Sequence, residues 1–333
     1  MKCLYIIGNN KNVDKLVLLL KQLHMKNFGF LFLIIISITS CQTPSKMNND
    51  LSELQLKGKV KSIKEKTYEV VMKNGNIAKG KLIGAYTNTT FNKKGNIVIE
   101  STYNNVDELL KLDSLTYNVD GYSIIKKSYD SNDFLYMKIN EKLNRKGQLI
   151  ETIEKNFYVN ESPRKWVYDY DENGKLKETN SFEVTESNEV FICKWVYKND
   201  TKNNFVEEIR YNKDGFYEWK QTSKYDSADN LIEESNYDSG NNLTSRIIRK
   251  YDEKRNLIKS QIFHGIDVLY NKTSFSYDDF NNLTTINEYD SSEVLKTHTT
   301  YEYTYDQSNN WIKRIGTEND SFSTIKEREI EYY

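Results

Sequence analysis

The sequence predicts an all-β fold: a long antiparallel meander of two-strand repeats of about 26 residues, coiled into a spiral or partial shell. Three observations carry the prediction. A turn-like signature returns nine times at a nearly constant interval. Tyrosine is abundant, with 25 residues, and aromatic rings fill strands well. Proline occurs only at Pro44 and Pro163, as strand interiors demand, because proline cannot donate to a ladder.

Residues 1–24 sit awkwardly ahead of a signal-like segment and are read as an upstream mis-called start, with translation beginning at Met25. Met25-Lys26-Asn27 is a short positive segment, and an apolar run extends from Phe28 to Ile38. That run is about half of the roughly 20 residues a membrane-spanning helix needs. Thr39 and Ser40 then lead to Cys41. Positive start, apolar middle and small-residue exit mark residues 25–40 as a secretory signal. The end, Ile38-Thr39-Ser40-Cys41, resembles the lipobox of bacterial lipoprotein signals. The resemblance implies cleavage before Cys41, diacylglycerol on its thiol and an acylated amine. Residues 41–50 are polar, hold Pro44 and read as a tether. A single β repeat domain is expected over 51–333, with nine repeats over about 85–325.

The domain begins with a strand-like stretch from Gly58 to Val71 and a turn near Asn74-Gly75. The repeats come next, in forms such as FNKKGNIV, LNRKGQLI, YDENGKLK, YDSADNLI and YDQSNNWI. Their fifth residues are Gly95, Gly121, Gly147, Gly174, Asn203, Asp229, Arg255, Asn281 and Asn309, spaced 26 to 29 apart. Glycine there closes a type I turn as a bulge with positive φ, which Asn and Asp tolerate and Arg255 tolerates less well. A second turn lies half-way along each repeat, as in Asn212-Lys213-Asp214-Gly215, so each repeat is two strands and two turns. The column two residues after each mark is mostly leucine, and the column eight after it mostly tyrosine. Even spacing predicts that both share one face. The tail KEREIEYY alternates Glu327, Glu329 and Glu331 with Arg328, Ile330 and Tyr332, which reads as a charged edge strand that discourages pairing.

Nine Tyr-Asp dipeptides, among them Tyr225-Asp226, Tyr251-Asp252 and Tyr277-Asp278, accompany these turns. With the YDxxGN-like turns, they resemble the YD repeats of RHS proteins and teneurins, and of short bacterial lipoproteins with such repeats. The resemblance covers about residues 85–333. It implies a sheet spiralling into a hollow shell, enclosing a toxin in large members and serving adhesion or carbohydrate binding in others. Here the period is longer, and neither the segment that precedes a toxin domain nor a C-terminal domain to be enclosed is expected.

The chain carries 47 basic and 48 acidic residues, so no basic excess points to nucleic acid. The cysteines are Cys3, Cys41 and Cys193. With Cys3 untranslated and Cys41 lipidated, no intramolecular disulfide can form, and Cys193 reads as a structural thiol. His264 and His298 fall in separate repeats without a paired ligand motif, so no metal site is expected. No HExxH, GxSxG, P-loop or dinucleotide-binding pattern stands in a suitable context, and no catalytic residue or cofactor is assigned. Turn aspartates such as Asp226 and Asp278 read as turn caps. Trp166 and Trp195 each lie eight residues before their mark, and Trp219 lies in the next repeat. They are the candidate ligand-binding residues, because flat rings stack on sugar faces; the other reading is a cross-strand aromatic ladder.

The expected function is that of a non-enzymatic, lipid-anchored, monomeric envelope protein. Its repeat sheet would bind or scaffold a glycan or an envelope protein. Gln42 favours the outer over the inner membrane. The alternatives are an envelope glycoside hydrolase using paired carboxylates, or the remnant of an RHS-type toxin shell.

Overall fold

Twenty-one antiparallel strands succeed one another through a computed structural model that describes residues 49–159, 161–202 and 204–333. The signal segment, Cys41 and the mark Asn203 lie outside the described residues. The described residues belong to one compact unit. From β3 (Tyr86–Phe91) onward each strand pairs with the next, as the two-turn repeat predicts.

The expected spiral or partial shell is corrected by the sheet's two ends. The first strand, β1 (Val60–Lys73), pairs with the last, β21 (Ser321–Tyr332), from Val60 opposite Tyr332 to Glu69 opposite Thr324. The sheet is therefore a closed barrel. The other edge of β1 is shared by β2 (Asn76–Leu82) and β3 (Tyr86–Phe91), which run in tandem along it. The Ile83 N–H bridges them by donating to the Thr67 carbonyl, 2.7 Å away. Counting that pair as one interrupted strand, the wall has twenty positions.

Closure has a physical cause that the tail alone conceals. The charges of β21 meet complementary charges on β1. Glu65 accepts from Lys326 Nζ at 2.6 Å and from Arg328 Nε at 2.8 Å. On the opposite face Lys64 stands opposite Glu329 and Lys66 opposite Glu327. Lys61 reaches Glu331 at 3.2 Å. Charged edges repel a copy of themselves but attract a complement.

The turns match the predicted chemistry. All eight described marks have positive φ, between 61° and 92°. In the representative turn the Asp226 N–H donates to the Asn230 carbonyl (3.0 Å) and the Asp229 N–H to the Asp226 carbonyl (3.1 Å). Asp226 Oδ1 accepts from the N–H groups of Ala228 and Asn230, both at 2.9 Å. The tyrosine of the dipeptide closes the strand end. The hydroxyls of Tyr170, Tyr251 and Tyr277 donate to the carbonyls of Leu149, Leu231 and Leu257 at 2.8, 3.1 and 2.9 Å. Adjacent turns on this near rim are linked, as where Asn256 Nδ2 donates to Asn281 Oδ1 (3.1 Å) and Arg255 Nε to Asn230 Oδ1 (3.0 Å).

A one-turn helix, α1 (Asp50–Glu53), fills the rim position where the chain's ends meet. The Leu51 N–H donates to the Gly95 carbonyl (3.0 Å), and Asp50 Oδ2 accepts from the Ile97 N–H (2.5 Å). Leu51 and Leu56 bury against Val60, Ile63 and Phe91, which form the buried apolar cluster. Elsewhere most residues on both faces are half-exposed. Twenty tilted strands about 4.8 Å apart enclose a radius on the order of 20 Å, too wide for side chains to fill. The barrel is hollow.

The shared face expected for the leucine and tyrosine columns is also corrected. Pairing slips beside each near-rim turn: Tyr225 faces Leu231, but Lys224 faces Glu233. One extra residue flips the parity of everything after it. Leu231 therefore lies on the face of Tyr225, whereas Tyr237 lies on the other. Largely desolvated charges, including Glu65, Glu208, Arg249 and Arg328, gather on the Leu231 face. Side chains converge on the concave side of a closed sheet, so this face is the lumen. Tyr237 and its equivalents stand outside under cations: Lys220, Arg246 and Lys272 lie 4.6, 5.1 and 4.7 Å from the rings of Tyr237, Phe263 and Tyr289.

Two predictions test this architecture. Burial pushes the Glu65 carboxyl up, but Lys326 and Arg328 outweigh it and hold the group below its ordinary value of 4.5. A depressed folded value contributes stability above pH 4.5 that is lost as the pH falls through the lowered value. Glu65→Ala should cost about 2–4 kcal/mol at pH 7, and the cost should shrink below pH 4.5, measured by urea unfolding. Gly215→Ala meets open space and should cost about 1 kcal/mol for its φ of 81° alone. Gly95→Ala should cost more, because its Cβ would lie 2.5 Å from Asn49 Nδ2 and 3.1 Å from Leu51 Cδ1.

Candidate functional site

The lumenal wall from β9 (Arg164–Tyr170) to β15 (Leu243–Tyr251) concentrates rings and ionisable groups. Its rows are set by the ladder. Trp195, on β11 (Glu189–Asn199), stands opposite Arg210, on β12 (Phe205–Asn212), and Arg210 stands opposite Trp219, on β13 (Tyr217–Tyr225). Two of the three predicted tryptophans thus share one row, roughly 10 Å apart across an arginine. Trp166 shares their face. It stands opposite Thr152 and Ser181, and Ser181 stands opposite Cys193, so Trp166 lies two strands from Trp195 and one row nearer the far rim. All three are partly exposed to the lumen.

Arg210 is held in place from two sides. Its guanidinium lies 5.5 Å from the Trp195 ring centre, and Nη1 pairs with Glu218. A stacked guanidinium keeps its N–H edge available for a planar oxygen pair. One row closer to the near rim, Glu208 lies between Tyr197 and Gln221. Burial, with a contribution from Glu234, pushes its carboxyl up to about 7. Glu234 Oε2 is 3.7 Å from Arg249 Nη2, and Arg249 is only 7% exposed. The arrangement offers flat apolar rings, a cationic fork and a carboxyl able to change charge near neutral pH. Trp311 joins a second cluster on the same face near the seam, where Arg328 lies 3.5 Å above its ring.

The remaining candidates occupy separate places. Cys193 is buried, at 3% exposure. His264 ends a strand at the far rim, 4.7 Å from the Tyr270 ring, and His298 Nδ1 lies 2.6 Å from Asn287 Oδ1 on the neighbouring strand. Asp226 and Asp278 each hold their own turn. Cys41 lies outside the described residues. Sequence reasoning missed Arg210, Glu208, Glu234 and Arg249. In FVEEIRY the first two look like ordinary strand alternation, and only the register places Arg210 between two tryptophans 24 residues apart.

Comparison with protein families and with curated proteins finds no match. Solved structures give distant likenesses. A porin-like protein from Bacteroides uniformis is 12% identical, with a TM-score of 0.33, covering 82% of this chain and 98% of that one. A porin-like protein from Bacteroides vulgatus is 10% identical, with a TM-score of 0.29 and the same coverage. The TcdB2-TccC3-TEV structure is 10% identical, with a TM-score of 0.22, covering 78% of this chain and 19% of that one. These scores lie below the range in which a shared fold carries a functional argument.

The raised Glu208 carboxyl yields a prediction with a defined sign. A carboxyl whose folded value lies above its unfolded 4.5 favours the fold while protonated and costs stability as the pH rises through about 7. Glu208→Gln should stabilise the barrel by roughly 1–3 kcal/mol at pH 8.5 and by almost nothing at pH 4, measured by denaturant unfolding.

Proposed function

We propose that this chain is a lipid-anchored protein of a bacterial envelope whose hollow barrel binds a saccharide on its lumenal wall. The observation that carries the reading is the row Trp195–Arg210–Trp219, partly exposed and facing the lumen. Rings roughly 10 Å apart suit sugar units two apart in a chain, and the arginine between them suits a hydroxyl pair or a carboxylate. The YD-type turns support kinship with YD-repeat lipoproteins, and the lipobox-like end at Cys41 supports anchoring, with the outer membrane favoured by Gln42.

The wall itself is unsuited to lipid. A membrane-spanning barrel needs an apolar outer band, and each Lys or Arg near the bilayer midplane costs about 2–4 kcal/mol. Here Lys138, Lys165, Lys194, Lys220, Arg246 and Lys272 succeed one another around the outer face. The lumenal face carries Glu65, Asp113, Glu208 and Arg249. In this reading the barrel stands in water and its attachment is the lipid on Cys41.

Glycan arrays and envelope pull-downs with residues 49–333 test the binding. Trp195→Ala with Trp219→Ala should lower glycan affinity at least tenfold, and Trp166→Ala alone should lower it less. Unchanged binding by the double variant would refute the site. Cys41→Ser should move the full chain from the membrane to the soluble fraction. A second reading, glycoside hydrolysis, draws on Glu208 and Glu234, because two neighbouring carboxyls, one of them raised, are the kind of pair that reaction uses. Cleavage of a bound glycan, abolished by Glu208→Gln, would select it.

A further inference from the structure

The two mouths of the barrel are built from the same turn but carry different side chains. On both, an Asp or Asn oxygen accepts from the N–H groups two and four residues on, as in Asp226 on the near rim and Asp130, Asn212 and Asp290 on the far rim. The last residue of the turn is where they diverge. On the near rim it is most often asparagine, and Asn230, Asn256 and Asn282 bond back to the turn or to its neighbour; Tyr122, Gln148 and Lys175 take the place in other turns. On the far rim it is Phe134, Phe216 or Val294 in three turns, exposed by 46%, 69% and 53%, while Glu108 and Asn242 keep a polar group there in two others. Other far-rim turns present Val106, Tyr158 and Ile266, exposed by 65%, 58% and 69%. Since the backbone turn forms equally well with asparagine, folding does not demand these apolar residues. A ring of exposed apolar groups set among polar ones marks an interaction surface.

Charge says what would cover it. Asp133, Glu161, Glu186, Asp214 and Asp320 stand exposed on the far-rim turns with no side-chain partner among the described residues. Several sit beside an apolar residue: Asp133 next to Phe134, Asp214 two before Phe216, Asp320 two before Phe322. The acids nearest the outer wall are already met, Asp267 by Arg246 at 3.2 Å and Glu293 by Lys272 at 2.5 Å. The rim is therefore acidic as well as apolar, while the outer wall is basic. An anionic lipid surface would be repelled by the rim and drawn to the wall. A second copy would set like charge against like, rim to rim. A cationic chain would be turned away from the wall and received by the rim.

We propose that the far rim is a docking ring for a basic, amphipathic polypeptide, whose apolar side chains lie against the exposed residues of the turns and whose cations meet the free carboxylates. This surface is separate from the lumenal row, and the inference does not depend on saccharide binding.

The test uses residues 49–333, within which every pairing of the ring lies, and an 18-residue Lys/Leu amphipathic helical peptide, with a Glu/Leu peptide of the same pattern as its control. Titration by fluorescence anisotropy should show binding of the Lys/Leu peptide at least tenfold tighter than of the Glu/Leu peptide, weakening as salt is raised. Phe134→Ser with Phe216→Ser and Ile266→Ser should lower affinity at least tenfold. Asp133→Asn with Asp214→Asn and Asp320→Asn should lower it and flatten the salt dependence. Val119→Ser, at an exposed apolar residue of the near rim, should change neither. All substitutions lie on exposed turns, and circular dichroism establishes folding before titration. Equal binding of both peptides, no binding, or loss of binding on Val119→Ser would overturn the proposal. So would rim-dependent self-association in sedimentation, or rim-dependent binding to phosphatidylglycerol vesicles in place of the peptide.

Discussion

Everything in this barrel depends on the register between β1 and β21. Each internal strand finds its partner through a short turn, so its pairing is a local event with a small entropic cost. The seam joins residues more than 250 positions apart, and no turn sets its register. The charge pattern supplies that information. On the lumenal side Glu65 lies between Lys326 and Arg328, and on the outer side Lys64 and Lys66 stand opposite Glu329 and Glu327 in the ladder. A slip of one residue would turn both sets to the wrong faces, and a slip of two would set either Glu65 opposite Ile330 or Lys66 opposite Ile325. The helix α1 adds a second constraint by tying Gly95 and Ile97 into the same corner, and the Lys57 backbone exchanges bonds with Asn310 across it. The seam is thus the place where specificity is concentrated, and the buried apolar cluster sits beside it.

Closure changes what the repeats can do. Two faces of an open ribbon are equally wet, and neither differs from the other except in its side chains. A closed wall makes one face concave, where charges such as Glu208, Arg249 and Arg328 lose solvent and become sensitive to one another. The recurring bulge then decides which residues enter that space. It sends the tyrosine at the strand end and the leucine after the turn inward, and the tyrosine of the opposite rim outward. The Tyr-Asp dipeptide consequently has one aspartate role and two tyrosine roles. The aspartate holds a turn on either rim. Tyr251 caps a carbonyl inside, while Tyr237 and Tyr289 receive a lysine outside.

The turns and strand boundaries were legible in the sequence because their causes are local. Positive φ at Gly95 or Asn281 comes from the residue itself, and the strand-turn period from the spacing. The sharing of a face by Trp195 and Trp219 was legible only in outline. Closure was not legible, because the pairing of Glu65 with Arg328 is a relation between the chain's two ends, and each end taken alone reads as a protected edge. Nor was the parity flip, since one bulged residue, such as Ile232, leaves the spacing of the columns unchanged while reversing their faces. Arg210, Glu208 and Glu234 escaped for the same reason: their significance is a matter of who stands opposite whom.

The polarity of the wall connects these points to location. A sheet whose two faces are both wet can tolerate lysine rows outside and carboxylates inside, and closure covers the long edges of β1 and β21. Such a wall gains little from apolar burial, so its stability must come mainly from the ladder, the turn bonds and cross-strand pairs between cations and rings. The exposed positions are thereby free for other uses. Near-rim asparagines use them for turn-to-turn bonds that brace the mouth beside the chain ends. The far rim, which has no such ends to brace, shows apolar and acidic groups instead. The difference between two rims with one turn geometry is therefore a difference of task, and it separates the end that holds the barrel together from the end that can meet something else.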